Sequence, residues 1–416
     1  MGRMKLGLFR APLFFVATIS VIAAQLPTAK PEDTGMSSER LQRITQMLQA
    51  RIQKGEMAGA SAIVARKGKV VFQTAQGVMD LESKQPVTME TMFRVASMTK
   101  PVTSVALMMM VEEGKVHLND PISRYIPEFK GMKVAEPTGA PSSQPGGVPP
   151  FNMTGAAREI TIKDLLTHVS GLASGTMSNS TVRAIARKEG EKLADYIPRL
   201  GKTTLEFEPG SRWAYSAQAG HDTLGRIVEI ASGMPLDQFF AKRIFEPLGM
   251  KDISFWPSDA NWPRVASLYN MTNGKLVKNN NPNTMSSKVY FMGSGGLIST
   301  PGDYLPFGLM LANGGSWNGK QILGKKTVEM LSAMHVPDTL PGRDAGEGYG
   351  LGVRVVTDHT KLGTMLSNGT YGWSGIYGTH FFVDPVEGIV GVLMVQTRDP
   401  EVRLDFENLV AQAVIQ

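Results

Sequence analysis

Residues 94–114 read RVASMTKPVTSVALMMMVEEG, and the way they fold decides how the whole chain is read. Val102, Val105, Ala106, Met109 and Met110 follow the i, i+3, i+4 spacing of a helix, and Gly114 is a natural stop. Pro101 suits the first turn, where no intrahelical donor is lost. The helix therefore starts close to Ser97, and Lys100 stands nearly one turn on, along the same face. Backbone N–H groups at a helix start lack partners and favour developing negative charge, which suits a serine nucleophile. Lysine can act as its base only when neutral, so such a site must be enclosed. The spacing by itself decides nothing. With 28 Ser and 23 Lys in 416 residues, chance gives about one or two S-x-x-K matches, and one is found.

Outward from this helix, SAIVARKGKVVFQTAQG (61–77) reads as two strands around Lys67-Gly68-Lys69, a hairpin signal, preceded by helical periodicity from Ser38 to Lys54. PTGAPSSQPGGVPP (137–150) cannot form regular structure and reads as a loop, either inert or a lid. From Ile160 to about Met250 the chain is helix-rich. Strands return in YGLGVRVV (349–356), GTHFFVD (378–384) and GIVGVLMVQT (388–397), and VRLDFENLVAQAVIQ (402–416) reads as a final amphipathic helix. Strands at both ends and helices between imply an α/β fold: one sheet from the two terminal segments, about 36–96 and 290–416, with a helical part, about 97–289, inserted.

Hydrophobic residues at 42% and charged residues at 19% describe a globular protein. The first 24 residues stand apart: Arg3, Lys5 and Arg10 precede APLFFVATISVIAA, the order of a secretory signal peptide cleaved near Ala23 or Ala24. The expected location is therefore periplasmic or secreted, with no stable membrane span after cleavage, because the apolar run is short for one. With no cysteine, disulfides, thiol catalysis and thiolate metal sites are excluded. The net charge of +6 contains no Lys/Arg block, so nucleic acid is not an expected partner. No H-E-x-x-H spacing occurs, and neither metal nor other cofactor is expected. GKTT (201–204) fails as a P-loop end because Tyr196 holds the upstream glycine position. No serine has glycine at both −2 and +2, which removes the α/β-hydrolase elbow.

Two further stretches supply what a serine–lysine pair would need. EPGSRWAYSAQAG (208–220) places the Tyr215 phenol on a Pro/Gly-flanked loop before a helical stretch. NGTYGWSGIYGTHFFVDP (368–385) is Gly-rich and leads into a strand, so a backbone edge can approach closely. His168, in DLLTHVSGL (164–172), reads better as a histidine holding its loop than as a triad member.

With SMTK, DLLTHVSGL, FEPGSRWAYS (207–216), IFEPLGMKDISF (244–255), GSGGLISTPGDY (293–304) and YGLGV (349–353) in order, the chain resembles the serine β-lactamase/penicillin-binding-protein-like superfamily. The likeness is to class C-like enzymes and, most of all, to family VIII carboxylesterases. It implies an antiparallel sheet flanked by helices, a mostly helical second domain, and a site between them. It implies Ser97 as nucleophile, Lys100 as general base, and Tyr215 as the proton shuttle to the leaving group. The oxyanion hole would be the N–H groups of Ser97 and Ile376, with Trp373, Ser374 and Gly375 binding substrate. Whether Lys100 or a Tyr215 phenolate is the working base stays open, since a coupled pair shares its protons. Two departures bear on the substrate. Ala217 stands where β-lactam enzymes carry an asparagine, and Trp373-Ser374-Gly375 stands where they carry Lys-Thr-Gly. Losing a charge-assisted carboxylate contact costs about 1.5–3 kcal/mol, so hydrolysis of short- to medium-chain neutral esters, with weak β-lactam hydrolysis beside it, is expected before a class C-like β-lactamase or a D,D-peptidase. A non-catalytic binding protein on this scaffold is the remaining reading.

Overall fold

The structure is a computed structural model that describes residues 1–2, 26–140, 147–282, 284–397 and 400–416. All but the first two residues of the expected signal peptide lie outside the described residues. Among those described, no helix is long and apolar enough to cross a membrane.

Helix α1 (Ser38–Gln53) opens the fold, its first turn capped by the Ser37 side chain accepting from Arg40 N. The hairpin β1 (Gly59–Arg66) and β2 (Lys69–Gly77) follows, turned by Lys67 and Gly68, both at positive φ. Helix α2 (Thr99–Glu112) comes next, then the antiparallel pair β3 (Lys133–Pro137) and β4 (Phe151–Gly155). Residues 138–150 connect that pair, the expected loop beginning one residue later because Pro137 still pairs with Phe151. The helical middle includes α3 (Ala219–Ser232), and α4 (Pro301–Ala312) precedes the return to strands. These are β5 (Glu347–Tyr349), β6 (Arg354–Val356), β7 (Tyr371–Ser374), β8 (His380–Asp384) and β9 (Ile389–Val395), closed by α5 (Pro400–Ala411).

The main sheet has seven strands in the order β5-β6-β7-β8-β9-β1-β2, all antiparallel. It thus joins the two ends of the chain, with β1 against β9 from Ala60↔Val395 to Arg66↔Ile389. Every β1 residue is buried, because both faces of the sheet are covered. Ala60, Ala62 and Val64 pack with α1 and α5, while Ile63 and Ala65 share a core with α2 and α4. That alternation is the two-residue period of a strand.

One expectation fails locally. YGLGVRVV is not one strand but two short antiparallel strands, β5 and β6, with Gly350 N donating to Val353 O across the turn (2.8 Å). Gly352 in this turn has φ +84°, and a Cβ there would lie 2.0 Å from Ser104 Oγ of α2. The glycines let the turn press against the helix, which a continuous strand cannot do.

Helix α2 is buried around its whole circumference, every residue from Thr99 to Met110 being enclosed. It is the central post of the molecule, and Ser97 lies in the tight turn (Ala96–Met98) that leads into it.

Candidate active site

The turn before α2 is strained and clamped. Ala96 has φ +46°, a conformation that costs an L-residue about 1–2 kcal/mol. Around it, Val95 N donates to Leu297 O (3.0 Å), Leu297 N donates to Thr99 Oγ1 (3.1 Å), and Thr379 Oγ1 donates to Val95 O (3.0 Å). The GSGGL turn and the β7–β8 connection therefore fix the serine from both sides.

Lys100 is 0% exposed. Its Nζ donates to Ala217 O (2.7 Å) and Ser294 O (2.7 Å), and lies 3.2 Å from Ser97 Oγ. The Tyr215 hydroxyl is 2.8 Å from the same Oγ, and Lys100 Nζ sits 5.0 Å from the centre of the Tyr215 ring. Two side chains from distant segments thus converge on the Ser97 oxygen.

Tyr215 is held by the backbone and ring of His168. Ala214 N donates to His168 O (3.0 Å) and Ser216 N donates to His168 Nδ1 (3.3 Å), so both flanks of the tyrosine are tied to one residue. Accepting at Nδ1 leaves the ring proton on Nε2. Burial, with Lys100 and Arg343 nearby, holds this imidazole well below its usual pKa, so it is neutral. Trp373 completes the wall, with ring centres 5.6 Å from Tyr215 and 5.2 Å from Tyr349.

The cavity at Ser97 measures about 670 Å³, and Tyr215, Trp373, Ser374, Gly375 and Ile376 are among its lining residues. Gly375 is required where it stands: a Cβ would lie 2.4 Å from Val95 O and 2.2 Å from Thr379 Oγ1. The end of β7 therefore abuts the Ser97 turn, which brings Ile376 to the cavity wall beside the serine. None of the described residues of 137–150 lines this cavity. All the predicted site residues gather here.

The beta-lactamase family model matches residues 44–414. The chain belongs to the beta-lactamase family. It is 30% identical to Esterase EstB of Burkholderia gladioli over 399 residues, 89% of this chain and 93% of the esterase. A putative D-alanyl-D-alanine carboxypeptidase of Salmonella agona is 28% identical over 415 residues, 92% of this chain and 89% of that one. Among solved structures, EstCE1, a hydrolase with promiscuous acyltransferase activity, superposes with a TM-score of 0.75 at 27% identity, over 90% of this chain and 99% of the other. This beta-lactamase-family chain is a serine hydrolase with the fold's large antiparallel sheet between helices.

The structure adds a cation that the sequence reading did not place in the cavity. Arg403 of α5 lines it, and makes no hydrogen bond or ion pair with the described residues. Trp373 stands where the resemblance puts a lysine, and the last helix supplies a cation thirty residues on. Sequence reading missed it because a helical arginine looks like any solvated one until the helix is docked.

Proposed function

We propose that this beta-lactamase-family chain is an esterase, of the family VIII type, that hydrolyses short- to medium-chain carboxylic esters through an acyl-enzyme on Ser97. The observation that carries this reading is the convergence of Lys100 Nζ (3.2 Å) and Tyr215 OH (2.8 Å) on Ser97 Oγ at the mouth of a Trp373-walled cavity. The likeness to Esterase EstB and to EstCE1 supports it.

Ala217 O and Ser294 O can only accept, so in its neutral form the Lys100 amine gives both N–H groups to them. The remaining lone pair then faces Ser97 Oγ. As Ser97 attacks the ester carbonyl, its proton passes to that lone pair, and negative charge develops on the carbonyl oxygen. The Ser97 and Ile376 N–H groups are the proposed donors to it. Collapse of the tetrahedral adduct expels the alcohol, protonated through Tyr215, and leaves the acyl group on Ser97. A water then attacks with the proton flow reversed, releasing the acid and restoring the serine. Ser97→Ala should abolish turnover of p-nitrophenyl acetate and butyrate, and equal rates in the two proteins would refute the reading.

The Arg403 guanidinium favours a second reading, a class C-like β-lactamase or D,D-peptidase whose substrate carries a carboxylate. Side-by-side kcat/KM on a chromogenic cephalosporin and a butyrate ester separates the two.

A further inference from the structure

Behind the cavity wall runs a chain of buried polar groups that the acylation chemistry does not use. Ser374 and His380 are directly opposed across β7 and β8, and Ser374 Oγ lies 2.9 Å from His380 Nδ1. The other ring nitrogen, Nε2, lies 3.0 Å from Glu407 Oε1 of α5, with both side chains 1% exposed. Arg354 Nη2 of β6 donates to the same carboxylate oxygen.

The proton positions follow from this order. Glu407 is ionised: burial pushes its carboxyl up, but Arg354, His380 and Arg403 outweigh that and bring it down to about 2. Nε2 meets that oxygen out of line for a hydrogen bond, yet a bare lone pair 3.0 Å from an anion would be repelled, so Nε2 carries the hydrogen. The charged groups facing the imidazole are Glu407 and Arg403 from α5 and Arg354 from β6. Burial holds His380 below its usual value, against the pull of Glu407, so the ring is neutral near pH 7. Nδ1 is then a lone pair, and it takes the one hydrogen that Ser374 has. Toward the cavity, Ser374 presents only oxygen lone pairs.

We propose that Ser374 is a specificity-determining residue, locked as a hydrogen-bond acceptor by His380 and Glu407, and that it selects esters bearing a hydroxyl or amide N–H. An ammonium group would also donate, but Arg403 lines the same cavity and repels it. His380 is a positioning residue: it touches no substrate and acts by holding the Ser374 hydrogen. The inference rests on the esterase reading of the Ser97 cavity and adds the polar feature its substrates carry.

The test compares esters that differ by one donor. p-Nitrophenyl β-hydroxybutyrate is set against p-nitrophenyl isovalerate for the acyl side, and glycol monobutyrate against propyl butyrate for the alcohol side. The protein should prefer the hydroxylated member of at least one pair by about three- to tenfold in kcat/KM. Ser374→Ala and His380→Leu should bring that ratio close to one, and Ser374→Thr, which keeps a hydroxyl, should restore it. Because each ratio is taken within one variant, a general loss of activity cancels. No preference in either pair, or a preference that survives Ser374→Ala, overturns the inference. Nitrogen NMR of histidine-labelled protein, with His380 assigned by its substitution, should show Nδ1 without a proton at neutral pH; a protonated Nδ1 overturns it whatever the kinetics show. Activity that persists in Ser97→Ala, or no esterase activity at all, sinks the esterase reading instead, and the NMR measurement still decides the polarity of Ser374.

Discussion

An amine with no water to turn to takes its geometry from its neighbours. Lys100 is such a group, and its two carbonyl partners leave the third direction pointing at Ser97. Removing it should therefore harm both chemistry and folding. Lys100→Met is expected to lower kcat/KM by about 10²–10⁴ and to leave the buried Ser294 carbonyl unpaired at about 1–3 kcal/mol, read as a lower Tm. Tyr215→Phe should cause a rate loss of similar size, about 10²–10⁴, with little change in Tm, because the serine hydroxyl it abandons still faces the cavity. The meeting of Ser97, Lys100 and Tyr215 was expected from the ordered motifs that carry the resemblance, since an S-x-x-K spacing alone is no rarer than chance. Arg403, His380 and Glu407 were not expected. Their meaning lies in which strand faces which helix, and no spacing along the sequence records that.

The elements that carry these residues divide in the same way. The 61–77 hairpin and the long helix after Ser97 could be read from periodicity and turn residues, since local rules decide them. The stretch 349–356 misled because its two glycines, read as part of a strand, make a turn against Ser104. Helix α5 is tied to the sheet through Glu407, which meets Arg354 from β6 and His380 from β8. A carboxyl whose folded pKa lies near 2, below the ordinary 4.5, stabilises the fold above the ordinary value and loses that contribution as pH falls through the folded one. The Tm of the wild-type protein should thus exceed that of Glu407→Gln at neutral pH, and the gap should close between about pH 4.5 and about pH 2. A gap that stays constant over that range would show that the carboxylate charge contributes nothing to docking the helix.

At the scale of the whole molecule, the site draws on Ser97, Tyr215 and Trp373, segments brought together only by the complete fold. Labelling of Ser97 by a fluorophosphonate and the loss of helical ellipticity should then share one urea midpoint; earlier loss of labelling would reveal a separately unfolding active-site region. The joining of the chain's two ends in one sheet was readable from where the strands fall. The burial of α2 on all sides was less so, because an apolar run does not say how many neighbours surround it. That enclosure has a consequence for changing what the protein accepts. A rod gripped along its whole length gives its terminal hydroxyl no travel, so new substrates cannot be met by moving the nucleophile. Altered selectivity should instead arise elsewhere on the cavity wall, at Gln218, Met285 and Tyr377, which lie outside that helix.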